Sequence, residues 1–97
     1  MGTRRVVLAP SALEALLAIS STTDARRMRD RLEALASMPL MGAVYDPVYE
    51  SSRPPFEVRA TYAGNFAIFY TYDAQAEEVR VAYIEDARWD PRARFGD

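Results

Sequence analysis

The chain has 97 residues, of which 49% are apolar and 27% charged, a composition typical of one globular domain. It contains no cysteine and no histidine, which excludes disulfides, thiolate metal sites and ordinary zinc sites. All 12 basic residues are arginine, yet the net charge is −2, so any contact with nucleic acid must be confined to a local patch. No apolar run reaches the length of a membrane span, and we expect a cytoplasmic protein that uses no cofactor.

The start of the chain predicts a strand followed by a helix. The apolar run of Val6, Val7 and Leu8 follows two arginines and stops at Pro10, which predicts a short strand over residues 4–9. Ser11 stands three residues before Glu14, which is the spacing of a capping box and predicts that the first helix starts there. The buried face of this helix is predicted to carry Leu13, Leu16 and Leu17.

A second helix is predicted after the polar cluster at residues 20–23, with Thr22 or Thr23 as its N-cap. Pro39 and Gly42 end it. Its apolar positions recur at helical spacing and are Ala25, Met28, Leu32 and Leu35. Its other side carries the arginines Arg26, Arg27, Arg29 and Arg31 among acidic residues. That side is either a solvated helix face or an RNA-binding surface, and the sequence leaves both open.

The second half of the chain predicts a long loop and then strands. Residues 38–55 hold four prolines and one glycine without a regular period, which indicates a loop, part of which is compatible with an extra strand near residues 44–49. Alternation over residues 56–62 predicts a strand whose core face carries Phe56, Val58, Ala60 and Tyr62. A tight turn at Gly64 and Asn65 leads to a strand over residues 66–72, and a third strand covers residues 79–84. The tail over residues 85–97 is predicted to be irregular.

The order of these elements predicts one α+β domain with the order β-α-α-β-β-β. Two antiparallel helices are expected to pack on a small antiparallel sheet, because each layer has one apolar face that the other buries. The domain is expected to span residues 1–97, with flexible ends at residues 1–3 and 91–97.

This chain resembles the RelE/ParE toxins of bacterial type II toxin–antitoxin systems over almost its full length. The resemblance rests on the element order, on the arginine-rich second helix and on three short segments. These segments are Ala9-Pro10-Ser11-Ala12, Phe56-Glu57-Val58-Arg59 and the strand residues 66–70 followed by 79–84. The resemblance implies a toxin that a cognate antitoxin protein holds inactive, without any membrane association.

The resemblance also implies a set of functional residues. Members of the family that cut mRNA on the ribosome need a base for the 2′-hydroxyl and cations for the phosphorane. Carried over to this chain, Arg59 and Arg88 would stabilise phosphate charge and Glu85 would be the base of a metal-independent endoribonuclease. Trp89 would stack on a nucleobase, and the remaining nucleic-acid contacts would come from Arg53 and Arg80.

One position departs from the pattern of the nucleases. Many active members carry an arginine directly after the aromatic residue that opens the later strand, whereas this chain has Ala67 after Phe66. Two alternatives therefore stay open. One is a ParE-like toxin that acts on gyrase without cutting RNA, and the other is a degenerate member that acts as a protein-binding module or a homodimer. For Arg59 and Arg88 the alternative is an ordinary surface ion pair with a neighbouring acid.

Overall fold

The computed structural model describes residues 4–46 and 54–86. Two helices, α1 (Pro10–Leu17) and α2 (Thr22–Ser37), pack on one face of a five-stranded sheet. The strands are β1 (Arg5–Leu8), β2 (Ala43–Val44), β3 (Arg59–Ala63), β4 (Phe66–Asp73) and β5 (Glu78–Asp86). The predicted α+β class is confirmed, and β2 is an extra strand within the predicted loop. Neither helix in these two stretches has the length and apolar content of a membrane span.

The sheet has the spatial order β1-β5-β4-β3-β2. The neighbours from β5 to β2 are antiparallel, as predicted, whereas β1 runs parallel to β5, with Val6 opposite Val79 and Leu8 opposite Val81. Side-chain alternation carries no information about which strand lies next to β1 or in which direction. The sequence pattern therefore could not predict that β1 pairs in parallel with β5.

The main core lies between the helices and the sheet. On α2, Met28 and Leu35 are fully buried and Ala25 and Leu32 are partly buried, so the predicted apolar face is confirmed. The sheet contributes the buried residues Ala63, Ile68, Tyr70, Val79, Val81 and Ile84. A smaller cluster of Val58, Ala67 and Phe69 lies on the other face of the sheet.

The predicted start of α1 was wrong, and its predicted buried face is confirmed only at Leu16, which packs against the core. The helix begins at Pro10, whose missing N–H costs nothing in a first turn, and Ser11 donates its hydroxyl to the carbonyl of Ala82 at 3.3 Å instead of capping the helix. Leu13 and Leu17 are 45% and 75% exposed. The helix packs against the core through Ala12, Ala15 and Leu16, and Ile19, two residues after the helix, packs against the same core.

The cap of α2 lies one residue earlier than predicted. Ser21, rather than Thr22 or Thr23, is the N-cap, and its hydroxyl oxygen accepts a hydrogen bond from the backbone N–H of Asp24 at 3.2 Å. Ser21 has extended backbone angles, as an N-cap requires, while both threonines lie in the first helical turn.

The hairpin of β3 and β4 was predicted correctly, but the faces of β3 were assigned wrongly. Gly64 has a φ of +60° in the turn, the left-handed conformation that glycine adopts readily. Thr61 and Ala63 are buried towards the helices, whereas Phe56 and Tyr62 are 46% and 52% exposed. Apolar residues occur on both sides of this strand because the sheet has a second apolar cluster, so alternation alone could not identify the helix side.

Candidate functional site

The sheet face turned away from α1 and α2, called the helix-free face below, has an aromatic centre. Phe69 is fully buried there, and the ring of Tyr45 meets it edge-on with ring centroids 4.7 Å apart. Phe56 stacks against Tyr83 at a centroid distance of 6.4 Å. From the strand register, this face carries Ala60, Ala67, Phe69, Arg80, Tyr83 and Glu85. The two ends of the β2–β3 connection therefore cover part of this face.

A groove of about 410 Å³ lies beside this aromatic centre. Its walls come from both described ends of the β2–β3 connection and include aromatic rings, prolines and two carboxylates. The lining residues are Val44, Tyr45, Asp46, Pro54, Pro55, Phe56 and Glu57. Apolar rings with a few polar groups are the usual composition of a site that accepts a side chain or a small ligand.

An ion network occupies the β1 side of the helix-free face. The Glu78 carboxylate, whose side chain is only 12% exposed, accepts hydrogen bonds from Arg80 Nε at 2.6 Å and from Arg5 Nη2 at 2.7 Å. Arg80 also donates to Asp73 at 3.1 Å. Both arginines are therefore neutralised by acids, which reduces their availability to a phosphate.

This network predicts an acid-sensitive contribution to stability. Hydrogen bonds from Arg80 and Arg5 hold the pKa of Glu78 below its ordinary value of 4.5. A lowered folded-state pKa means that the stabilisation is complete above the ordinary value and is lost as the pH falls through the folded-state value. We expect Glu78→Gln to lower the Tm at neutral pH and to flatten its decline in acid, measured by thermal unfolding from pH 7 to pH 2. Glu33→Gln on the exposed side of α2 is the control, and an equal flattening there would contradict the assignment.

Arg59 does not lie on the helix-free face. It pairs with Tyr70 across β3 and β4, and Tyr70 belongs to the cluster beneath the helices. Its guanidinium is partly buried and donates a hydrogen bond from Nη1 to the carbonyl of Gly42 at 2.6 Å. Glu85 pairs with Ala67, on the other face of β4. The structure thus separates Arg59 from Glu85 by the thickness of the sheet.

The other residues predicted from the resemblance divide into two groups. Arg80 and Glu85 share the helix-free face, with Arg80 bound to acids as described above. Arg53, Arg88 and Trp89 lie outside the described residues. Among the residues that are described, no cluster of three or more acidic side chains has an arrangement suited to a metal ion.

Sequence reasoning missed the partners of Arg59, which are Gly42 and Tyr70. A signal for Tyr70 was present, because a tyrosine inside the apolar run at residues 66–70 has a hydroxyl that needs a buried partner. The only sequence signal at Gly42 was its position in a proline-rich loop, and this does not indicate a partner. Tyr45 likewise gave no periodic signal for its contact with Phe69.

Comparison with known proteins identifies the fold. No model of a known protein family matches the sequence, and no curated protein matches it. A chain of the archaeal RelE–RelB complex from Pyrococcus horikoshii OT3 is similar in structure, with a TM-score of 0.71 at 12% identity over 92% of this chain and 100% of that one. The isolated E. coli RelE toxin gives a TM-score of 0.62 at 11% identity over 90% and 87% of the two chains. A mutant of E. coli RelE in the free state gives 0.59 at 11% identity, over 90% and 86%.

Proposed function

We propose, from the premise that this chain has the fold of the RelE toxins, that it is the toxin of a toxin–antitoxin pair and that an antitoxin protein holds it inactive. The observation that carries the proposal is the likeness over 92% of the chain to a protein solved in a RelE–RelB complex. The likeness spans both helices and the sheet, so it concerns the whole fold and not a shared hairpin. Because a fold alone does not fix an activity, the proposal needs a functional test.

The test is growth of a bacterial host after induction of this chain, alone and together with the gene beside its own. A toxin should arrest growth, and a neighbouring antitoxin should relieve the arrest. Soluble expression is verified on the same cultures. Normal growth at a verified soluble level would contradict toxicity in that host and favour the binding-module alternative.

For the activity, we propose first a metal-independent cleavage of mRNA on the ribosome. In this reaction the 2′-hydroxyl attacks the adjacent phosphorus, the proton of the hydroxyl goes to a base, and the 5′-oxygen leaves and takes up a proton. Glu85 is the proposed base, Arg88 the cation beside the phosphorane and Trp89 the stacking platform. Glu85 on the helix-free face is the described residue from which this site would be built.

A second activity, inhibition of a protein target such as gyrase without RNA cleavage, is favoured by the charges of the helix-free face. Among the described residues of this face, Arg5 and Arg80 are both bound to acids, and the groove adds the carboxylates of Asp46 and Glu57. An RNA surface normally carries a local excess of positive charge. An aromatic face with paired charges resembles a protein interface more closely.

One pair of assays separates the two activities. Purified protein is added to translating ribosomes and to a gyrase supercoiling reaction. Cleavage of the mRNA that is lost in Glu85→Gln, but kept in Glu33→Gln, supports the ribonuclease. Intact mRNA together with blocked supercoiling supports the protein target, and activity in neither assay from a toxic protein rejects both targets.

A further inference from the structure

We infer that Arg59 is a positioning residue: together with Tyr70 it clamps the backbone of Gly42 on the helix side of the sheet and thereby fixes Tyr45 on the helix-free face. The structural part of this inference is independent of the proposed function. Only its consequence for toxin activity rests on that function.

The clamp holds both polar backbone atoms of a single residue. The N–H of Gly42 donates to the hydroxyl of Tyr70 at 2.9 Å, and Arg59 Nη1 donates to the carbonyl of Gly42 at 2.6 Å. Gly42 and Tyr70 are buried, so water cannot readily replace either bond. The two side chains thus satisfy the backbone N–H and carbonyl of Gly42, as a neighbouring strand does for a residue inside a sheet.

The hydroxyl of Tyr70 is suited to this role. Burial raises the pKa of Tyr70 above its usual value, although the Gly42 N–H and the Arg59 charge act in the opposite direction. The phenol therefore stays neutral through the physiological range. Arg59, by contrast, is a permanent cation whose hydrogen bond to a carbonyl is charge-assisted and strong.

The position held by the clamp has no room for a side chain. A Cβ added to Gly42 would lie 2.6 Å from the carbonyl oxygen of Ala60 and 2.9 Å from the hydroxyl of Tyr70. The first of these atoms belongs to the backbone of β3 and cannot move without moving the strand. A glycine is required here by space and not by backbone conformation.

Strand β2 transmits the position of Gly42 to the other side of the sheet. Ala43 and Val44 pair with β3 at the sheet edge, and the N–H of Tyr45 donates to the carbonyl of Val58 at 2.9 Å. The ring of Tyr45 then contacts Phe69 on the helix-free face. The edge strand therefore joins Gly42 to Tyr45 through only two residues, and a shift of Gly42 must shift Tyr45.

Because of this connection, loss of activity on substitution of Arg59 would not show that Arg59 contacts a ligand. A substitution there would disturb Tyr45 and the groove beside it without removing any group that contacts a ligand. Arg59 and Tyr70 should then give the same defect, because both hold the backbone of the same residue, Gly42. A directly acting Arg59 would instead have no reason to share its defect with Tyr70.

The test compares Arg59→Gln and Tyr70→Phe with two matched controls, Arg31→Gln on α2 and Tyr62→Phe on β3, where the tyrosine is 52% exposed. The readouts are amide hydrogen exchange at Gly42 and the nuclear Overhauser contact between the Tyr45 and Phe69 rings. We expect both clamp variants to speed exchange at Gly42 at least tenfold and to weaken the ring contact, and both controls to leave them unchanged. Leu32→Ala, which lowers general stability without removing either hydrogen bond of the clamp, should also leave the ring contact intact.

Unchanged Gly42 exchange and an unchanged ring contact in Tyr70→Phe would overturn the inference. That variant removes one oxygen and keeps the ring, so it decides the question even if Arg59→Gln does not fold. In the growth assay, Tyr70→Phe and Arg59→Gln should both weaken the growth arrest. Full toxicity of Tyr70→Phe together with loss of toxicity in Arg59→Gln would instead indicate that Arg59 acts directly. A wild-type chain that does not arrest growth would reject the proposed function, while the two magnetic-resonance readouts would still decide the clamp.

Discussion

Replacement of Leu35 by alanine is expected to lower the free energy of unfolding by about 2–5 kcal/mol, the usual cost of a leucine cavity in a core. Leu35 is fully buried on α2 and belongs to the cluster that joins the helices to the sheet through Tyr70 and Val79. The loss includes the transfer of the removed carbons and the cavity that stays behind, because close-packed neighbours relax only in part. Urea unfolding followed by circular dichroism measures it.

The matched control is Leu17→Ala on α1. Leu17 is 75% exposed, so its truncation should change the free energy of unfolding by no more than about 0.5 kcal/mol. The two variants remove the same atoms, one from a buried site and one from an exposed site. Equal losses at both positions would show that the outer face of α1 is buried in the protein as it exists in solution, contrary to the structure.

This contrast shows what helical periodicity can and cannot predict. The pattern located α1 and α2 correctly, because both helices carry apolar residues at intervals of three and four. On α1, however, the buried face was predicted from the leucines, whereas in the structure the alanines face the sheet. Small residues such as Ala12 let the helix backbone approach β5 closely, which larger side chains would prevent.

The sheet shows a different limit. Alternation correctly placed Arg59 and the preceding Val58 on opposite faces of the sheet, but both faces lie against apolar clusters. Which face meets the helices is decided by the partner strand, where Tyr70 opposes Arg59. The turn at Gly64 and Asn65 fixes this pairing, but neither the turn nor the alternation identifies which face of the hairpin meets the helices. Gly42 lies far from Tyr70 in the chain and outside the hairpin, so neither pattern could identify it as a partner of Tyr70.

The resemblance to RelE/ParE toxins added the order of the elements and the expectation of a partner, and the fold agrees with it. It did not fix the site, because the matching short segments describe strands and not the faces of strands. Arg59 matched a family arginine in sequence, yet its hydrogen bond goes to Gly42 on the helix side. Similarity of fold therefore guides which assays to run, and the local contacts decide which residues to change.

The second large effect is expected at Ala67, the position where many active members of the resembled family carry an arginine. Ala67→Arg is expected to destabilise the protein by at least about 2 kcal/mol, because the new side chain overpacks a filled site and buries a cation. Ala67 is fully buried on the helix-free face, in one cluster with Val58 and Phe69. Glu85 is its cross-strand neighbour and offers one partner for the charge, which offsets only part of the cost. Urea unfolding measures the loss.

Thr71→Arg makes the same kind of change four residues along the same face of β4, where the strand is only partly buried. Its cost should be about 1 kcal/mol or less, because a long side chain can reach water from there. A stable Ala67→Arg that also cleaves mRNA on ribosomes would mean that the aromatic cover of this face opens readily. The expected unstable variant would instead mean that Tyr45 and Phe69 have filled the space that an arginine needs, so that this chain cannot regain the usual set of cations by a single substitution.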